Sequence, residues 1–163
     1  MSHVAPSSGP MPEPGKRAPE FTGKDQTGNT IRLKDHRGHK VILFFYPKDL
    51  TPTCTTEVCN LRDNYSLLMN SGFKIIGVSG DDISSHLKFS QKYNLPFPLI
   101  ADTRLSIIGK YGVWGEKQLY GRKYMGIHRT TFLIDESGKI MQVIRQVKSA
   151  DHTRQILAWN DHR

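Results

Sequence analysis

Residues 41–59, VILFFYPKDLTPTCTTEVC, constrain the fold more than any other stretch. They open with six apolar residues rich in strand formers and with no polar alternation. Such a run fits a strand covered on both faces, at the centre of an α/β sheet. Pro47 ends it, since proline has no N–H to give a ladder. After a short polar loop, Thr51 and Pro52 supply an N-cap and a first helical residue. The helix is expected to run to about Asn70, with Val58, Leu61, Tyr65, Leu68 and Met69 on one stripe, and to stop at Ser71-Gly72.

The rest of the chain builds around this unit. Residues 1–17 are rich in Pro, Gly and Ser and are expected to form a flexible tail, leaving 18–163 as a single domain. A short packed segment over 18–21, the turn GKDQTG over 23–28 and a short strand over 29–33 suggest a small hairpin. Residues 73–79 repeat the buried-strand pattern. A helix capped by Asp81 or Asp82 follows over 83–93. A short strand over 97–101, a short helix over 105–111 and a glycine- and aromatic-rich loop with a small hairpin over 112–126 come next. Residues 131–135 and 140–146 flank the turn Glu136-Ser137-Gly138-Lys139 and are expected to pair antiparallel. A last helix spans 150–160. The order β-α-β-α-β-α, hairpin, α predicts a thioredoxin-like α/β fold, its mixed central sheet flanked by helices on both faces.

Composition narrows the function. The net charge is +8, but Lys and Arg are scattered among acids with no long basic run, so no specific nucleic-acid binding is expected. No apolar run is long enough to span a bilayer, and residues 1–15 lack the apolar core of a signal peptide. The cytoplasm is the expected compartment. Only two cysteines are present, too few for a disulfide scaffold or a four-thiolate zinc site. In a reducing compartment a close pair points to catalysis or redox chemistry. The seven histidines show no metal-ligand spacing, and surface or packing roles are expected for them.

Cys54 falls at the third helical position after the Thr51 cap. There the first-turn N–H groups lack intrahelical partners and the helix dipole is positive, and both favour a thiolate. Read alone, Cys54 also fits a small packed residue and Thr51 a plain cap. The Thr51 hydroxyl has two further options, the sulfur or a substrate. Cys59 lies five residues on, which in an intact helix separates the Cα atoms by roughly 8.6 Å. A disulfide needs less than about 7 Å, so bonding requires part of the helix to unwind. Arg129, just before the strand over 131–135, is the candidate cation for the sulfur, if that strand neighbours the one ending at Tyr46. Pro47 is placed to shield the sulfur from water.

These residues resemble a known family. Pro47-Lys48-Asp49-Leu50-Thr51-Pro52-Thr53-Cys54 matches the Pro-x-x-x-Thr-x-x-Cys signature of peroxiredoxins, and Arg129 in GIHRTTFLID matches the family's distant active-site arginine. FFYPKDLTPTC, LRDNY, GVWGEK and Cys59 five residues past Cys54 are similar to the subgroup called peroxiredoxin Q or bacterioferritin comigratory protein. Thr53 departs from the smaller residue common there. The resemblance implies that Cys54 is the peroxidatic and Cys59 the resolving cysteine, forming an intramolecular Cys54–Cys59 disulfide. Thr51, Pro47 and Arg129 complete the pocket, and Glu57 matches a recurrent helix acid. It further implies a thiol peroxidase acting on hydrogen peroxide and organic hydroperoxides, recycled by thioredoxin or a similar dithiol. No metal, haem or flavin is implied, and a monomer suffices. The competing reading, a thioredoxin-fold disulfide oxidoreductase acting on protein thiols, is disfavoured because the Cys-x-x-Cys spacing is absent.

Overall fold

The structure, a computed structural model, describes residues 9–160. Its centre is a five-stranded sheet in the order β5-β4-β3-β8-β9, and β3 (Lys40–Phe45) lies in the middle with every residue buried. β4 (Phe73–Ser79) and β5 (Leu99–Ala101) run parallel to it through helical crossovers. β8 (Thr130–Ile134) runs antiparallel to β3, and β9 (Ile140–Ile144) antiparallel to β8. The continuous apolar run thus occupies the position that only such a run tolerates. Gly77 in β4 has a packing reason, since a Cβ there would lie 2.6 Å from the Phe44 ring. Two small hairpins stand outside the sheet: β1 (Thr22–Lys24) with β2 (Thr30–Arg32), and β6 (Trp114–Leu119) with β7 (Arg122–Ile127).

The sheet separates two apolar clusters. On one face α1 (Pro52–Asp63), α2 (Tyr65–Asn70), α3 (Ile83–Tyr93) and α5 (His152–Asn160) bring Val58, Leu61, Leu68, Phe89 and Ile156 against Ile42 and Phe44. On the other, α4 (Ser106–Lys110), the first hairpin and Trp114 cover Leu43, Phe45 and Phe132. The mixed sheet with helices on both faces agrees with the architecture read from the sequence. No described helix is long and apolar enough to cross a membrane.

Two local details differ from expectation. The helix after Pro47 is two helices, broken at Asn64 (φ −110°, ψ 18°), whose side-chain amide donates to the Asn60 carbonyl at 2.8 Å. Asn competes for backbone partners in this way, and a hydrophobic stripe does not register it. Of the two caps expected for α3, Asp81 or Asp82, it is Asp82 that accepts from Ser85 N, a choice within the expectation and not a departure from it. The expected tail lies outside the described residues over 1–8. From Gly9 the chain is fastened to the domain rather than loose. Gly15 N donates to Ile140 O and Ile140 N donates to Lys16 O, both at 2.8 Å, and Arg17 bridges Lys139. β9 is an edge strand with unpaired backbone groups, and this segment uses them despite its Pro/Gly composition.

Candidate active site

The site lies where β3 ends, the 47–51 loop turns and α1 begins. Cys54 is the third residue of α1, with Pro52 at the first position and Thr51 as N-cap by its extended backbone. The Thr51 hydroxyl neither caps the helix nor bonds the sulfur in this dithiol form. It donates to the Lys48 carbonyl at 2.8 Å, which closes the loop on itself. Pro47 is half-buried beside it. Leu50 has left-handed backbone (φ 64°), which costs a leucine on the order of 1–2 kcal/mol, so the loop needs an outside hold.

That hold comes from a buried network. Asp49 accepts from Tyr46 Oη at 2.6 Å and from Ser85 Oγ at 2.8 Å, and its Oδ2 lies 2.7 Å from His86 Nδ1. Asp81 accepts from Asp49 N and Ser79 Oγ. The His86 Nε2 faces the Ile100 carbonyl at 3.0 Å, which can only accept. Nε2 therefore carries a proton and donates, and Nδ1 is held against the Asp49 carboxyl. Asp49, Asp81 and His86 approach within 4.8 Å of one another, as metal ligands do. Yet both imidazole nitrogens are engaged within the protein, Nδ1 with Asp49 and Nε2 with the Ile100 carbonyl. Burial, then the Asp49 charge, pushes the Tyr46 phenol well above its ordinary range, so it remains a donor.

Arg129 reaches the sulfur as the strand order foretold. Phe45 pairs with Thr130, so the residue before β8 stands beside the residue after β3. Its guanidinium donates to Cys54 Sγ at 3.2 Å and to Glu57 Oε1 at 2.6 Å. Burial works against the Arg129 charge, but Glu57 and Cys54 outweigh it and raise its pKa. Cys54 itself is only 1% exposed, and it sits at the edge of the helical apolar cluster with this cation upon it. The sulfur is thus covered, but not by apolar packing alone.

Glu57 is fully buried one turn beyond Cys54. Its Oε1 has Arg129, whereas its Oε2 has no hydrogen-bond partner among the described residues. The nearest polar group is His152 Nε2, at 3.8 Å. His152 Nδ1 lies 2.9 Å from Gln155 Oε1, an acceptor, so the proton is on Nδ1, and Nε2 accepts from the Thr131 hydroxyl at 2.8 Å. Glu57 Oε2 therefore looks onto a lone pair. Burial pushes its carboxyl up to about 7 despite the pull of Arg129, and burial lowers His152 to about 4.

Cys59, half-buried in the second turn of α1, is a free thiol, as is Cys54, and the helix between them is wound. Burial raises the Cys59 pKa, with Arg62 pulling the other way. The next residue, Asn60, ties α1 to the start of α5: Oδ1 accepts from Thr153 N and Thr153 Oγ1, both at 2.8 Å, and Nδ2 donates to Ala150 O. An orphan donor of one helix is thereby satisfied by another. Unwinding α1 around Cys59 would disturb this tie.

The structure thus brings Cys54, Glu57 and Arg129 into contact; Thr51 precedes the helix that carries Cys54, Pro47 lies in the loop before it, and Cys59 follows Cys54 in the same helix. Sequence reasoning missed Asp49, His86 and His152. His152 is far along the chain from Cys54, and nothing in its spacing flags it. Asp49 lay inside a recognised motif, but its partners Ser85 and His86 are more than thirty residues away and no spacing connects them.

A thioredoxin-like sheet that delivers a guanidinium to a thiol at a helix start defines a cysteine-dependent oxidoreductase. Residues 14–143 match the AhpC/TSA family. Over 145 residues the chain is 46% identical to a putative peroxiredoxin bcp of Coxiella burnetii and 43% identical to peroxiredoxin Bcp of Bacillus subtilis. These alignments cover 89% of this chain and 96% and 92% of the relatives. It superimposes on the bacterioferritin comigratory protein of Xanthomonas campestris, studied for its alkyl peroxide reduction activity, with TM-score 0.81 and 36% identity over 87% of this chain and 91% of that one. A PrxQ mutant from Xylella fastidiosa gives TM-score 0.87 at 28% identity, covering 94% and 98%. The chain belongs to the AhpC/TSA family and is a peroxiredoxin, a thiol peroxidase similar to the Bcp and PrxQ proteins.

Proposed function

We propose that this peroxidase works through Cys54 as the attacking thiolate and Cys59 as the resolving thiol, in the cytoplasm and within one monomer whose domain spans residues 18–163. The observation that carries the reading is the Arg129 guanidinium bridging Cys54 Sγ and Glu57. Its charge, with the free amides of the first α1 turn, stabilises sulfur as an anion. The thiolate attacks the terminal oxygen of a hydroperoxide. The S–O bond forms as the O–O bond breaks, and the alkoxide or hydroxide leaves and takes up a proton. Arg129, beside the sulfur, is the donor available to the negative charge developing on the peroxide oxygens. Thr51 and Pro47 form the rim of the pocket.

The Cys54 sulfenic acid then condenses with Cys59, releasing water and closing an intramolecular disulfide. The separation of the two residues in a wound α1 supports a step in which this helix opens locally, at the expense of the Asn60 tie to α5. Thioredoxin or a similar dithiol reduces the disulfide by exchange and returns both thiols.

Stopped-flow oxidation of the reduced protein by hydrogen peroxide and an organic hydroperoxide, followed by mass measurement, tests the assignment. Wild type should lose two hydrogens. Cys54→Ser should consume no peroxide. Cys59→Ser should gain one oxygen, consume one equivalent and then stall with thioredoxin. Sustained turnover by either variant would remove that cysteine from its role.

A further inference from the structure

Of the seven large apolar side chains exposed among the described residues, four lie together in the hairpin β6–β7: Leu119, Tyr120, Tyr124 and Met125. Scattered exposed leucines need no explanation, but a cluster does. The turn does not explain it. Tyr120 and Gly121 form the tip, with φ of 51° and 78°, where Asn-Gly is the ordinary choice and a tyrosine is strained. That tyrosine is 97% exposed.

The register sorts the side chains by face. Opposed residues of an antiparallel pair share a face. Lys117 with Tyr124 and Leu119 with Arg122 therefore lie on the face of the paired Gly115 and Gly126. Glu116, the hairpin's one acid, lies on the other face, where it is 3.7 Å from Lys123. The first face is thus apolar and cationic throughout. It also runs to the site. A Cβ at Gly126 would lie 3.1 Å from Lys117 Cδ and 3.4 Å from the Tyr124 ring, and one at Gly115 would lie 2.9 Å from His128 Nε2. The glycine pair makes room for these side chains, and Lys117 and His128 share a cleft with Arg129, which holds the sulfur. A continuous ledge leads from the hairpin tip to Arg129. A small peroxide needs no such ledge. A protein that must bring its own sulfur to this site does, and aromatic and arginine side chains are what protein interfaces favour.

We propose that this face of β6–β7 is the docking surface for the dithiol protein that reduces the Cys54–Cys59 disulfide, a partner with an apolar contact face and an acidic rim. Leu119 and Tyr124 meet the apolar face, and Arg122 meets the rim. The inference rests on the two-cysteine reading and names where its reductant binds. The partner's thiolate attacks one sulfur of the disulfide as the S–S bond breaks. Its second thiol then displaces the mixed disulfide, so both cysteines here return as thiols and the partner leaves oxidised.

The test mixes protein oxidised by one equivalent of hydrogen peroxide with either reduced thioredoxin or dithiothreitol in a stopped-flow instrument. The quantity read is the ratio of the thioredoxin rate to the dithiothreitol rate within each variant, so changes in disulfide reactivity cancel. Leu119→Ser/Tyr124→Ser and, separately, Arg122→Glu should each cut the ratio by about tenfold or more, with the dithiothreitol rate and the peroxide rate unaltered. The wild-type ratio should fall as ionic strength rises, and less steeply in Arg122→Glu. Lys24→Glu, an equal charge reversal on the first hairpin, should leave the ratio in place. Hairpin variants that keep the wild-type ratio overturn the docking site and leave the two-cysteine reading intact. If those variants instead lose binding to phosphatidylglycerol vesicles, or lose a dimer in sedimentation, while keeping the ratio, the face serves a membrane or a second copy and the proposal is equally overturned. If dithiothreitol reduces the wild-type disulfide and thioredoxin does not, the reductant reading falls and takes this inference with it.

Discussion

Two buried carboxylate–histidine pairs lie near Cys54, and they have been built in opposite ways. Asp49–His86 is complete: each Asp49 oxygen has a hydrogen-bond partner, and so has each imidazole nitrogen. Glu57–His152 is incomplete: one Glu57 oxygen has no donor, the histidine is neutral, and the two groups face each other at 3.8 Å with no proton between them. The first pair grips the loop that ends in a left-handed Leu50. The second touches the arginine that touches the sulfur. A satisfied network fixes a shape. An unsatisfied one, in a dry place, leaves a group free to change charge near neutral pH.

The sharpest way to break the contrast is Asp49→Ala. It strips Tyr46 and Ser85 of an acceptor and leaves His86 Nδ1 buried without its partner. Removing one partner of a buried pair costs about 3–5 kcal/mol. Urea unfolding at pH 7 should show a loss of that size. A loss below about 1 kcal/mol would mean that the network does not hold the loop.

Arg129→Ala attacks the other side, and its effect should fall on rate instead. The second-order rate of peroxide oxidation, followed by tryptophan fluorescence, should drop by about 10²–10³-fold, the cost of deleting one aimed donor. Stability should change much less than in Asp49→Ala, because Glu57 can take up a proton when its cation is gone. Equal stability losses in the two variants would erase the distinction drawn between the sites.

How far the sequence could have led to this contrast depends on the kind of signal. The unbroken run over 41–46 and the turn at 136–139 fixed the centre of the sheet and its antiparallel end, since burial and turn chemistry are local properties. Arg129 followed from strand adjacency once a thioredoxin-like order was assumed. The Asn64 break was not legible, because the apolar stripe continues through it and only a side-chain hydrogen bond interrupts the helix. Nor was the attachment of residues 9–17, which depends on vacant backbone groups of an edge strand supplied by the far end of the chain. His152 was passed over as a packing residue. Its place beside Glu57 is a product of α5 docking, and no periodicity in the last helix encodes what its first residue meets.

The smallest effect discriminates best, because it concerns charge alone. Glu57 has a folded pKa raised from 4.5 to about 7, so it contributes stability below 4.5 that is lost as pH rises through 7. His152 has a folded pKa lowered from 6.5 to about 4, so it contributes stability above 6.5 that is lost as pH falls through 4. Between pH 4.5 and 6.5 the two slopes oppose each other, and their sum should be nearly flat in wild type. Removing either partner unmasks the other. Glu57→Gln should give stability that declines as pH falls from 6.5 to 4. His152→Asn should give stability that declines as pH rises from 4.5 to 7. Neither slope should exceed about 1.4 kcal/mol per pH unit, the limit for one proton. Urea midpoints across this range, read as differences from wild type, measure the effect whatever constant stability each substitution costs. Slopes of the same sign in the two variants would show that Glu57 and His152 do not titrate in opposition, and that the incomplete pair is merely a poorer version of the complete one.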